Sequence, residues 1–153
     1  MADIVSTKDR SRMMAGIKGK NTKPEIMIRT ALHSRGFRYR LHNFKLPGKP
    51  DILFPKYNAV IQINGCFWHK HDCHLFKWPS SRQEFWHPKL VQNQEKDKEN
   101  NKALRALGWR ILIIWECALK GKEKIDFEEV IRKVTAWLMS DSEWMEIRGA
   151  GKN

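Results

Sequence analysis

The run Trp109-Arg-Ile-Leu-Ile-Ile-Trp115 is the strongest β signal in this chain, and it limits the fold more than any other stretch. Its apolar residues are continuous, which marks a buried strand. Ala59-Val-Ile-Gln-Ile63 is nearly as apolar and reads as a central strand beside it. Asp51–Phe54 pairs with that strand through the turn Pro55–Asn58. Phe37, Tyr39 and Leu41 alternate with Arg38 and Arg40, a half-buried strand with a basic outer face.

Helices surround these strands. Thr22-Lys-Pro-Glu25 fits a capping box with Pro24 in the first turn. Ile28, Ala31 and Leu32 form one face of that helix, and Gly36 closes it. Taken on spacing alone, Glu25 is the capping carboxylate. Ser81 and Glu84 suggest a second box, and Pro88 suits the first turn of a very polar helix running to about Leu107, where Gly108 stops it. The last helix spans about Asp126 to Leu138, with an apolar stripe of Phe127, Val130, Ile131, Val134, Trp137 and Leu138. The order α-β-β-β-α-β-α implies an α/β fold, a mixed sheet flanked by helices. We divide the chain into a basic arm at 1–20, a main domain at 21–139 and a flexible tail at 140–153. Met13, Met14 and Ile17 in the arm can share one face of a short helix; the alternatives are a disordered tail and an arm that packs on DNA.

Lys and Arg number 29 against 17 Asp and Glu, a net charge of +12. Such a balance calls for an anionic partner, nucleic acid foremost, or else is a solvated basic surface. No apolar run reaches the roughly 18 residues that span a bilayer. The first residues carry no apolar secretory segment, so a cytoplasmic protein without a membrane partner is expected. In that compartment cysteines serve as metal ligands or core thiols rather than disulfides.

The chemistry concentrates between Asn64 and His74, where the sequence reads Asn-Gly-Cys-Phe-Trp-His-Lys-His-Asp-Cys-His. Cys66, His71 and Cys73 lie within eight residues, and Cys117 ends the buried strand, so a closed Cys3His zinc set is available. His74 is an alternative to His71, and buried thiols without metal are the alternative to a site. Phosphodiester hydrolysis needs a divalent cation held by oxygens and a base for water. Asp51, entering a strand after Pro50, suits the cation, with a backbone carbonyl near Ile63 beside it. His69 suits the base. Glu25 can bind the cation's water shell, and Asp97 can orient His69. Each also has a plain structural explanation, as a turn residue, a loop histidine, a cap or an exposed helix carboxylate.

Several blocks together resemble one family. Pro47-Gly-Lys-Pro-Asp51, Gly65-Cys-Phe-Trp-His69-x-His71-x-Cys73, Phe85-Trp86, Lys89, Asn93, Asp97, Leu107-Gly-Trp-Arg110 and Trp115-Glu-Cys-Ala-Leu119 look like the very short patch repair (Vsr) mismatch endonucleases. The likeness spans about residues 8–138. It implies a restriction-endonuclease-like α/β fold with structural zinc. It implies a Mg2+-dependent enzyme that nicks double-stranded DNA 5′ of the thymine in a T·G mismatch left by deamination of 5-methylcytosine. By that resemblance Asp51 and the Ile63 carbonyl hold Mg2+, His69 is the base, and Glu25 and Asp97 are supporting acids. Cys66, His71, Cys73 and Cys117 hold Zn2+. Phe67, Trp68 and Trp86 form an aromatic wedge, and Met14 and Ile17 approach from the other groove. Lys89 and Asn93 read the mismatched pair. A monomer is expected, with mismatch-repair proteins as candidate partners. The family commonly has His or Asp where this chain has Asn64, and an amide cannot shuttle a proton near neutral pH. A zinc-stabilised DNA-binding protein without catalysis and a general site-specific endonuclease are the competing functions.

Overall fold

The computed structural model describes residues 22–41 and 45–151. Met14 and Ile17 lie outside the described residues, as does the rest of the basic arm. Two buried strands, β3 (Ala59–Asn64) and β4 (Arg110–Trp115), run side by side in parallel from Ala59↔Arg110 to Asn64↔Trp115. Their apolar composition follows from that position, because both faces are covered. β2 (Ile52–Phe54) joins β3 antiparallel, and β1 (Arg40–Leu41) joins β2 antiparallel. The fifth strand, β5 (Trp144–Ile147), lies parallel to β4 and completes a mixed sheet in the order β1-β2-β3-β4-β5.

β5 lies within 140–153, the stretch expected to be a flexible tail. It is an edge strand with three of its four side chains exposed or half-buried, so its composition stays polar although its backbone is paired. Arg110 fastens the approach to it. Its guanidinium donates to the carbonyls of Tyr57, Trp137, Ser140 and Ser142 and sits 4.3 Å from the centre of the Trp137 ring.

One face of the sheet carries α1 (Lys23–Ser34) and α4 (Phe127–Leu138), packed through Ile28, Leu32, Val130, Ile131, Val134 and Leu138. Each such side chain contributes about 1.5–3 kcal/mol by burial. The other face carries α2 (Gln83–Ala106), packed mainly through Leu104 on Val60, Ile111 and Ile113. A single turn, α3 (Glu116–Leu119), follows β4 directly. Both α1 and α2 end as expected at glycine. Gly36 and Gly108 take φ of 90° and 97°, and the next residue, Phe37 or Trp109, donates back to the carbonyl of Leu32 or Leu104. Among the described residues no helix is long and apolar enough to cross a membrane.

Three local expectations shift. The strand over 37–41 shrinks to two residues, yet Phe37 and Tyr39 still meet Phe54 edge-on. The Ser81–Glu84 box does not form; α2 starts at Gln83 behind Arg82 at φ 53°, with no side-chain cap. Pro88 then stands sixth in the helix, where its missing N–H only frees the carbonyl of exposed Glu84.

Candidate active site and metal centre

The antiparallel turn from β2 into β3 returns Asp51, just before β2, to the C-terminal end of β3. There its carboxylate accepts from the Ile63 amide at 2.8 Å. Burial pushes the Asp51 carboxyl up to about 7; the Ile63 amide opposes this, the nearby Glu25 charge adds to it, and His69 opposes it. A buried carboxyl with an acidic neighbour is a strong acceptor for a divalent cation, because the cation removes the repulsion that the proton otherwise relieves. Glu25 is 1% exposed. Thr22 does cap α1, accepting from the Glu25 amide at 3.4 Å, but the Glu25 carboxylate turns inward and takes Arg29 at 2.9 Å. The plain capping role therefore gives way to a buried acid within electrostatic reach of Asp51.

His69 follows β3 by five residues, in the turn that leaves it. Its Nδ1 meets Asp97 Oδ2 at 2.5 Å. With the shared proton on Nδ1, Nε2 presents a lone pair. Asp97 belongs to a stripe of α2 at four-residue spacing, Lys89, Asn93, Asp97 and Asn101. Asn93 donates to the Trp68 carbonyl at 3.1 Å, which leaves its own carbonyl as an acceptor, and Lys89 is half-buried on the same stripe. The Gln62 amide, buried on β3, donates to Asn101 at 3.1 Å. So α2 is keyed to the loop after β3 through Asn93, Asp97 and Gln94, which donates to the Lys70 carbonyl at 3.4 Å, and to the sheet through Asn101. Gln62–Asn101 was invisible in sequence, since nothing in spacing pairs a polar strand residue with one helix position 39 residues away.

Phe67, Trp68 and Trp86 form a half-buried aromatic cluster with ring centres 5.3–5.8 Å apart. Phe76 extends it at 6.1 Å from Phe67 and Phe85 at 5.1 Å from Trp86. Phe67, Trp68 and His69 are consecutive, so the cluster and the His69–Asp97 pair are one continuous piece.

Behind them lies the metal-type cluster. One ligand atom each from Cys66, His71, Cys73 and Cys117 falls within 4.8 Å of all the others. His71 presents Nδ1, at 3.5 Å from Cys66 Sγ and 3.6 Å from Cys117 Sγ. His74, the alternative, instead lies with Nδ1 3.1 Å from the Glu123 carboxylate. Cys66 and Cys117 each stand two residues beyond the paired Asn64 and Trp115, so the parallel register itself sets the thiols side by side. Burial pushes both thiols up, Cys66 further through the Cys73 thiol and Cys117 against the Gly149 amide. Burial also holds His71 below its ordinary value, as the neutral imidazole that ligates. Three thiols and an imidazole, buried except for the half-buried Cys73 and with their donor atoms within 4.8 Å of one another, fit a thiolate-binding ion. Further residues support this centre. Glu116 accepts from the Cys66 amide at 3.0 Å, His71 stacks on Trp115 at 3.9 Å, and Gly149 donates to Cys117 Sγ at 3.2 Å. Arg148 grips Asp72 by its carboxylate and its carbonyl, both at 2.8 Å, and that carboxylate stands 3.7 Å from His71 Nε2. Arg148 and Gly149 were hidden because they follow the polar edge strand.

The family model described as DNA mismatch endonuclease Vsr matches residues 2–75. The chain is 38% identical over 151 residues to the DNA mismatch endonuclease Vsr of Escherichia coli strain K12, covering 99% of this chain and 97% of that enzyme. It is 44% identical over 119 residues to the type II nicking enzyme V.XorIIP of Xanthomonas oryzae, covering 78% and 88% of the two. It is also 43% identical over 122 residues to the type II nicking enzyme V.NmeAIP of Neisseria meningitidis serogroup A, covering 80% and 87%. With a likeness of that extent to an enzyme matched almost end to end, the chain belongs to the DNA mismatch endonuclease Vsr family.

Proposed function

We propose that this endonuclease nicks one strand of double-stranded DNA on the 5′ side of the thymine in a T·G mismatch, and so starts repair of deaminated 5-methylcytosine. The observation that carries the reading is the continuity of Phe67, Trp68 and His69: rings able to enter a base step adjoin an imidazole held by Asp97. A wobble pair stacks less well than a Watson–Crick pair, so opening the step costs less there, and flat side chains replace the lost stacking at ~1–3 kcal/mol per base. Phe67, Trp68 and Trp86 fill the opened step. Lys89 and the free carbonyl of Asn93 read the pair, with Met14 and Ile17 entering from the other groove.

In the hydrolysis, water loses a proton to His69 Nε2 while its oxygen forms a new bond to phosphorus. Asp97 holds the imidazole in the accepting tautomer and stabilises it once protonated. The phosphorus–oxygen bond to the departing strand breaks, and that oxygen takes up a proton. Asp51 and the Ile63 carbonyl, backed by Glu25, would hold Mg2+, which supplies charge stabilisation on the phosphate. Cys66, His71, Cys73 and Cys117 would hold Zn2+, whose preference for three thiolates and an imidazole fits the donor set. The working unit is a monomer, with mismatch-repair proteins as downstream partners.

The test compares two labelled duplexes that differ in one T·G pair, across several flanking sequences, with Mg2+. A single nick beside the thymine, absent from the paired control and absent in folded Asp51→Ala, is expected. Equal cutting of both duplexes would replace this reading with a general endonuclease. Mismatch binding without a nick under Mg2+ or Mn2+ would replace it with a binder.

A further inference from the structure

The aromatic chain does not stop at the wedge. Trp78 meets Phe76 edge-on at 5.2 Å, and Phe76 meets Phe67, so ring contacts run without a break from the wedge to the surface. At the surface Trp78 lies flat against His87, with centres 3.9 Å apart and planes 3° from parallel. Trp78 is 37% exposed and His87 is exposed too, on the first turns of α2. A cation attends this rim: Lys70 Nζ stands 5.7 Å from the centre of the Trp78 ring.

A stacked pair left at the surface exposes apolar area that a core would have absorbed. A cation beside flat rings describes a ligand that is itself flat and anionic. A nucleotide has both properties, offering a base face to the ring and a phosphate to the cation. The location narrows this further. The rim is continuous with the proposed wedge, so a duplex seated there must pass it on one side of the mismatch.

We propose that the Trp78–His87 stack, with Lys70, is a second DNA contact that holds a nucleotide flanking the mismatch. It rests on the function proposed above. The rim grips the flank and takes no part in reading the mismatched pair or in the chemistry, which separates it from Trp86 and His69.

The test uses His87→Ala, His87→Phe and Trp78→Leu in the full-length, metal-loaded protein, with metal content and melting checked for each. Affinity is measured on a long T·G duplex, its paired T·A counterpart, and T·G duplexes shortened stepwise on either side. His87→Ala and Trp78→Leu should weaken binding to the long duplexes by about 5- to 150-fold, the worth of one base–aromatic stack. His87→Phe should restore it, since a phenyl ring stacks. The T·G to T·A preference and the nicking rate at saturating duplex should not change. On duplexes shortened past the rim on one side, wild type and His87→Ala should bind alike. Wild-type affinity in both His87→Ala and Trp78→Leu, or a loss that persists whichever side is shortened, overturns the proposal. Failure of mismatch recognition itself shows differently, as a wild type that does not distinguish T·G from T·A while the one-sided length effect remains.

Discussion

Asp51→Asn should stabilise the Mg2+-free protein, and the size of the gain can be worked from the site. The Asp51 carboxyl moves from an ordinary 3.8 to about 7, chiefly through burial. A raised carboxyl contributes its stability below about pH 4 and loses it as pH rises through 7, because the folded state must then carry a buried charge. At about 1.36 kcal/mol per pH unit, that span corresponds to a loss of at most ~4 kcal/mol by pH 8. Asparagine keeps a carbonyl for the Ile63 amide, which now donates to the Asp51 carboxylate, and never ionises. The assay is urea unfolding from pH 5 to pH 8.5 in Mg2+-free buffer without a strong chelator, so that the Cys3His centre stays loaded. The wild type should weaken across that range, and Asp51→Asn should be nearly flat and 2 to ~4 kcal/mol more stable at pH 8. Added Mg2+ should recover the wild type alone, through its preference for the folded state. Parallel pH profiles for the two proteins, or an Asp51→Asn less stable than wild type at pH 8, would refute the strained-carboxylate account.

Two further outcomes follow from the supporting contacts. Gln62→Leu leaves the Asn101 amide facing an apolar side chain and should cost ~1–3 kcal/mol in urea unfolding, whereas Gln62→Leu with Asn101→Leu should return close to wild type; equal losses in both would show that the pair does not act as a unit. Arg148→Ala frees Asp72, which stands beside His71, and should weaken metal retention about 10-fold in competition with a chromogenic chelator. Asp72→Ala should do the same, and the double variant should add nothing.

Much of this architecture can be read from the chain because its signals are local. The apolar runs of β3 and β4, the Thr22 cap, and the glycines closing α1 and α2 depend on neighbours within a few residues, and each stands where expected. The Cys3His cluster was legible for a related reason, since three ligands share one loop and the fourth follows a buried strand by two residues, in the turn Glu116–Leu119. What escaped depends on partners distant in sequence. β5 is an edge strand with polar side chains and takes its order from β4, not from its own pattern. Glu25 satisfies a capping spacing, yet its burial is set by how α1 lies against the sheet. The start of α2 was misplaced because Pro88 favours a first turn, whereas the aromatic contacts of Phe85 and Trp86 extend the helix upstream of it.

The matched positions of Cys66 and Cys117 bear on how the protein reaches this structure. Parallel strands separated by a long excursion pair slowly and can slip. A slip of one residue between β3 and β4 moves a side chain by about 3.3 Å and turns it to the opposite face. Cys117 would then leave Cys66 and His71, and no four-ligand set would remain. An ion that needs all four donors is therefore captured only by chains with Asn64 opposite Trp115. If the cluster holds its ion, metal capture would act as a proofreading step on strand pairing, and chains made under metal starvation should accumulate as a mixture of misregistered forms.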